Sequence, residues 1–398
     1  MTATYVGVLL FYVLYFFRPE DFIPALSAVP FAKITGLFTG VTLIGAILSG
    51  RVRLILEIKL LIALFAYLCL CIPGSLWPGG SFDAVINGFS KIVLVVVATM
   101  CAVSTVARLR RVIFVQIFAM FTMALLAFGK DRQAGRMFGV GMMFDDPNDL
   151  ALNLCIILPF CVALLLSSRS RLWKVFWTLT VAVTLLAIVS TYSRGGFLAL
   201  AAVLLTMWHR FSIRARTALF LLVIVILPTA AILAVGKSSY FERMGTIIDT
   251  EADTSGSAQI RREILKRSLE VTVEHPIWGV GPGQFDMVSG SWHQTHNSYT
   301  QLSSEAGIPA LIIFLMLIRR SFNNLRLLRT TAERSQTWYL AGAVYCALVG
   351  YLVGAFFLSA AYWLVPYLLV AYVSALRSIR EASNTSVVEH FPKEPILT

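Results

Sequence analysis

Apolar residues in this chain fall in long unbroken runs separated by short polar segments. Twelve runs stand out, at roughly 4–17, 31–49, 54–73, 84–106, 112–129, 149–167, 173–191, 195–209, 217–236, 306–320, 337–358 and 361–377. A membrane-crossing helix needs about 20 apolar residues, whereas a barrel strand needs about 10 alternating ones. Continuous runs therefore predict an all-α fold, a polytopic transmembrane helical bundle of about 12 spans. Several runs are short, which predicts tilted or interrupted helices. One polar stretch is different in kind: 237–305, about 69 residues long, is the only sizeable soluble piece. The predicted organisation is a membrane bundle over 1–236 (spans 1–9), a large outer loop over 237–305, spans 10–12 over 306–377, and a cytoplasmic tail over 378–398.

Composition agrees. Of 398 residues, 58% are hydrophobic and 14% charged, against about 45–50% and 25% in soluble domains. A soluble fold could not hide this apolar surface, and the aromatic content excludes disorder. A net charge of +12 would suggest nucleic acid in a soluble protein. Here the basic residues sit in alternate loops, which is a topology signal. With the N-terminus inside, the inner segments carry Arg51, Arg53 and Lys59; Arg108, Arg110 and Arg111; Arg169, Arg171 and Lys174; Arg210, Arg214 and Arg216; Arg319, Arg320, Arg326, Arg329 and Arg334; and Arg377, Arg380 and Lys393, or 20 of the 33 basic residues. Both termini are expected inside, and no nucleic-acid partner is expected. The six cysteines all lie within apolar runs, which argues against a disulfide framework, and no Cys/His cluster has zinc-ligand spacing. The N-terminus lacks a basic region before its apolar run, so that run is read as a span and not as a cleaved signal.

Some residues break the pattern. The outer segment 130–148 carries Lys130, Arg132 and Arg136, and Lys91 falls within the fourth run. Intramembrane charge is costly and usually faces a cavity or snorkels to an interface. Thr191-Tyr192-Ser193-Arg194-Gly195-Gly196 joins runs seven and eight on the outer side. Two readings stand. Arg194 either snorkels beside a tight glycine turn, or its planar fork clamps a phosphate at the membrane surface. Asp145-Asp146-Pro147-Asn148-Asp149 precedes run six, and Asn148 or Asp149 is expected to cap that helix.

Within 237–305, Ser257–Glu274 places Ile260, Ile264, Leu265, Leu269 and Val273 at helical spacing, with Arg261, Arg262, Lys266 and Arg267 among them. This predicts an amphipathic helix whose basic face is either simply solvated or anion-binding. Gly279-Val280-Gly281-Pro282-Gly283 does not fit a dinucleotide-binding loop, because Gln284 occupies the last glycine position and no βαβ context surrounds it. A rigid turn back to the membrane is the better account. Trp292-His293-Gln294-Thr295-His296-Asn297-Ser298-Tyr299 then leads into run ten. A histidine pair can hold a metal, but no third ligand is suggested here. It can also be a solvated interfacial pair. Histidine is otherwise the natural general base near neutral pH.

These residues together resemble the O-antigen ligase/polymerase superfamily of bacterial envelope glycosyltransferases. The resemblance rests on the twelve runs, the large loop between runs nine and ten, the Ser-Arg-Gly-Gly turn, and the end of the loop. The family's ligase motif has a histidine, then Asn, Ser or Gln, nine residues, a glycine, two residues, and Gly, Thr or Tyr. His296, Asn297 and Gly307 fit it, and Ala310 departs from its last position. An arginine on an amphipathic helix, followed by His275-Pro276 and the glycine turn, also matches; helix register favours Arg261 over Arg262. The resemblance implies a metal- and cofactor-independent, inverting transfer of a glycan from a polyprenyl-diphosphate donor to a hydroxyl of a glycolipid, glycan or protein acceptor. It places the site on the periplasmic side of a multi-pass bacterial inner-membrane protein, the large loop being periplasmic and helical. It assigns His296 as base, and Arg194 and Arg261 as the diphosphate's cations, with the loop helix over a lipid entrance. Arg262, Arg132, Arg136, Lys91, Asn297, Tyr299 and His293 are further substrate-binding candidates. Sister activities are glycan polymerisation and protein O-glycosylation. A transporter for the same lipids is the rival from another class, but no clear internal repeat supports it.

Overall fold

The computed structural model describes residues 1–21, 24–26, 29–130, 132, 136–140, 145–211, 257–328 and 335–389. The ninth apolar run and residues 237–256 lie outside the described residues. The described chain is built from helices, with no strand among its elements. The helices are α1 (Thr2–Phe17), α2 (Phe31–Leu48), α3 (Leu56–Cys71), α4 (Pro78–Phe82), α5 (Ser90–Ala102), α6 (Val106–Phe128), α7 (Pro147–Ser167), α8 (Arg171–Ser190) and α9 (Arg194–Arg210). After the loop come α10 (Ser257–Glu274), α11 (Phe285–Val288), α12 (Ser298–Leu328), α13 (Gln336–Gly354) and α14 (Leu364–Glu389). A π-helical stretch, Asp83–Phe89, welds α4 to α5.

Every apolar run except the ninth coincides with a helix. By length and composition, seven helices among the described residues can cross a membrane: α2, the joined α4–α5, α6, α7, α8, α12 and α13. Of the others, α1 and α3 have 16 residues and α9 has 17. At about 1.5 Å per residue they fall a few ångströms short of a hydrocarbon core of about 30 Å. The expectation of about twelve spans is thus met by seven helices of sufficient length.

The apolar surface divides as a lipid solvent requires. Leu37 of α2 is 70% exposed and Leu48 is 83% exposed, a poor arrangement in water and a natural one against acyl chains. In contrast, α7 is buried on nearly every side, packing against α8, α9 and α13. A helix that is apolar all round belongs at the centre. Some arginines of the topology count also hold the bundle together. Glu57, 2% exposed in α3, accepts from Arg320 Nε at 3.0 Å and from Asn324 Nδ2 at 2.6 Å, and Arg377 Nη1 donates to Asn324 Oδ1 at 2.8 Å.

The described part of the large loop has a small core of its own: Ile264, Val271, Val280 and Phe285. The amphipathic helix spans Ser257–Glu274, as the spacing predicts. Its apolar positions do not share one face, however. Ile264 is buried, whereas Leu265, Leu269 and Val273 are exposed, the last at 79%. The inner face is completed by Ser268, Val271 and Thr272, and Thr272 Oγ1 meets Ser303 Oγ of α12 at 2.8 Å.

Candidate active site

Four segments meet at one end of the bundle: the α8–α9 turn, the start of α7, the start of α12, and the connection from α13 to α14. The glycine turn fixes the return of the loop. Gly279, Gly281 and Gly283 have φ of +65°, +114° and +75°, a region that side chains other than glycine rarely adopt. Val280 N–H donates to Ser304 O at 2.9 Å, Gly281 N–H to Glu305 O at 2.8 Å, and Gly283 N–H to the Glu305 carboxylate at 2.7 Å. The α12 helix breaks at Gly307, whose φ is +80°. A Cβ there would overlap the Ile277 carbonyl oxygen, so the motif glycine is where the helix must bend around the returning loop.

His296 stands just before α12 in a left-handed conformation, φ +49°. Its N–H donates to Ser359 Oγ at 2.9 Å, and Thr295 Oγ1 meets the same oxygen at 2.9 Å. Such a backbone is strained for a non-glycine residue and is kept where the surroundings over-determine it. Asn297 Oδ1 accepts from Tyr299 N–H at 2.9 Å and Thr300 N–H at 3.2 Å, so its side chain caps α12. The Tyr299 hydroxyl donates to Leu352 O at 2.8 Å. Both thus hold the α12 start in position.

The α8–α9 turn is built differently from a glycine hairpin. Its positive φ is at Tyr192, +52°, while Gly195 and Gly196 lie within the first turn of α9. They are small because neighbours approach closely: a Cβ at Gly195 would lie 2.8 Å from Phe357 Cβ, and one at Gly196 2.5 Å from Ala151 Cβ. Ser193 caps the helix, accepting from Gly196 N–H at 3.0 Å. Arg194, half-buried, is therefore the first residue of α9. A cation at a helix N-terminus opposes the macrodipole, by about 0.3–1 kcal/mol. With the free N–H groups it makes a place that favours an anion.

The segment before α7 closes on this turn. Arg136 Nε donates to Thr191 O at 3.0 Å and its Nη2 to Asn148 Oδ1 at 3.2 Å, while Ser193 Oγ donates to the same Asn148 oxygen at 2.6 Å. Asp146, not Asn148 or Asp149, is the N-cap of α7, accepting from Asn148 N–H at 2.6 Å, with Pro147 in the first turn. Proline suits that first position because its missing N–H has no helical partner to lose, which moves the helix start ahead of Asn148.

These segments converge on His296. Its pKa is pulled down to about 4, chiefly because burial penalises the charged ring, next because the Arg261 guanidinium repels a second cation. The Asp146 carboxylate opposes this, and His293 adds a smaller repulsion. The imidazole is neutral at pH 7 and able to take a proton. Arg261 is half-buried and faces the histidine, whereas the adjacent Arg262 is exposed. His293 is exposed, its Nδ1 2.6 Å from Ser291 O. Arg132 is exposed, and Lys91 is half-buried in α5. No hydrogen bond or ion pair among the described residues joins those two to the His296 group. Arg136 is tied into the α8–α9 turn. Sequence reasoning missed Asp146 as a neighbour of His296, and it missed Phe357 and Ser359, which lie in an uncharged connection that gave no signal.

Residues 179–315 match the family model described as O-antigen ligase. The matched stretch contains Arg194, Arg261, His296 and Gly307. It agrees with the O-antigen ligase/polymerase superfamily and, with the apolar helices, supports a multi-pass membrane protein of the broad glycosyltransferase type. No curated protein matches the chain.

Proposed function

We propose that this protein transfers a glycan from a polyprenyl-diphosphate donor to an acceptor hydroxyl, in the manner of an O-antigen ligase, on the periplasmic side of a bacterial inner membrane. The observation that carries the reading is the meeting of a neutral, half-buried His296 with the Arg261 guanidinium. A base held neutral beside a cation suits a reaction that takes a proton from one reactant and loads negative charge on another.

The acceptor oxygen attacks the anomeric carbon and its proton passes to the imidazole of His296. The bond from that carbon to the donor diphosphate breaks, and the electron pair leaves with the polyprenyl diphosphate. Arg261 and Arg194 take up the developing charge. Attack opposite the leaving group inverts the anomeric centre. Arg262, Arg132, His293 and Lys91 are secondary contacts for donor or acceptor; Arg136, Asn297 and Tyr299 hold the frame around them. The exposed Leu265, Leu269 and Val273 edge of α10 lies against the membrane at the lipid entrance.

The test is reconstitution of the purified protein with lipid-diphosphate glycan, in chelator, offering a glycolipid acceptor, a second lipid-linked glycan and a peptide in separate reactions. Transfer to the glycolipid is the expected result. Extension of the second lipid-linked glycan would make it a polymerase, and glycosylated peptide a protein glycosyltransferase. Donor that crosses liposomes unconsumed would mark a transporter.

A further inference from the structure

The far end of the bundle holds a cavity of about 900 Å³. It is remote from His296. Helix α7 begins at the Asp146 cap and ends at Ser167 in the cavity wall, and its 21 residues at about 1.5 Å each set the two about 30 Å apart. Its volume is near the top of the range of about 300–1,000 Å³ for small-molecule sites.

The lining is amphipathic in a particular way. Arg110, Arg111 and Arg169 stand around it, from the start of α6 and the end of α7. Phe114, Trp173 and Trp177 make an aromatic wall, the two indoles stacked at 6.2 Å and Phe114 edge-on to Trp177 at 5.9 Å. Leu9 and Leu164 continue the apolar side inward. No carboxylate among the described residues pairs with any of the three arginines; Arg110 has only Gln336 Oε1, at 3.2 Å. Three guanidiniums without an acid would repel one another unless something anionic joins them, and the apolar wall beside them excludes a purely polar guest.

We infer that this cavity is a binding site for an anionic phospholipid, with its phosphate on Arg110, Arg111 and Arg169 and its upper acyl chains against Trp173 and Trp177. The placement of helix ends and tryptophans is that of a membrane–water interface, and basic pockets between helices there favour anionic headgroups. The site is independent of the transfer chemistry proposed above.

The test uses full-length protein in nanodiscs made with brominated phosphatidylglycerol or, at equal mole fraction, brominated phosphatidylcholine. Tryptophan quenching is read, and the share due to the cavity is obtained by difference from the Trp173→Phe/Trp177→Phe variant. The expected result is stronger quenching of that share by phosphatidylglycerol. The preference should vanish in Arg110→Gln/Arg111→Gln/Arg169→Gln and survive when all three become lysine. Equal quenching by both lipids in the parent, a preference that survives the glutamine variant, or one lost in the lysine variant would overturn the inference. Suppression of the preference by millimolar inorganic phosphate would also overturn it, by marking a soluble-anion site.

Discussion

The His296 N–H donates to Ser359 Oγ at 2.9 Å, and two residues earlier the Phe357 side chain closes on Gly195, next to Arg194. One short, uncharged connection between α13 and α14 therefore fixes the proposed base and the N-terminus of α9 relative to each other. The positioning matters because a reacting geometry displaced by about 1 Å can cost 10²-fold in rate. Arg194→Lys keeps the charge but loses the planar fork. It should insert and fold normally yet transfer glycan about 10²-fold more slowly, read as single-turnover product formation. Full activity would leave the fork without a role.

Arg261 and Arg262 are adjacent in sequence, but only Arg261 acts on His296. Arg261→Gln should abolish most transfer, while Arg262→Gln should change it by less than about 10-fold, since exposed charges contribute little. Side-by-side rates of the two variants, with donor binding measured separately, check this.

The pH profile carries a sign. His296 works as a base only when neutral, so activity falls as pH drops through its pKa, about 4 in the empty site. A bound diphosphate offsets the Arg261 field and raises that pKa. The acid limb of kcat, which reports the bound complex, should therefore lie at higher pH than that of kcat/KM. Asp146→Asn keeps a good helix cap but removes the carboxylate that favours the protonated ring, so it should move the kcat/KM limb to lower pH. Coincident limbs would contradict this.

Gly307 has φ +80° and no room for a Cβ against Ile277. Gly307→Ala should cost at least about 1–2 kcal/mol from the backbone alone, lowering Tm and transfer together. Ala310, buried and within regular helix, is the motif's departure. Ala310→Gly should retain activity, with a stability loss of about 1 kcal/mol. Thermal unfolding in detergent measures both.

Much of the architecture was legible because lipid solvation writes itself into hydropathy: each helix-forming run was visible, and α10 appeared with its ends in place. The number of spans was less legible, because 16- and 17-residue helices such as α3 and α9 carry the apolar signal without the length. At the site, charged and rare residues stood out, so Arg194, Arg261 and His296 could be named from the sequence. Residues that act through shape or backbone could not. Gly195 and Gly196 looked like turn residues because close approach leaves the same mark as positive φ. The cap of α7 was misplaced because Asp146, Asn148 and Asp149 all satisfy the composition of a cap, and only the proline settles the register. Ser359 had no signal, since a serine in a short neutral loop is ordinary until His296 is laid against it.

The central claim is that His296 takes the acceptor's proton. It is tested most directly by single-turnover transfer with saturating donor and acceptor, comparing the parent with His296→Ala and confirming that the variant is folded and binds donor as tightly. The account predicts unchanged donor binding and a transfer rate reduced by about 10²–10⁴-fold. A folded His296→Ala variant that transfers glycan at the parental rate would contradict it.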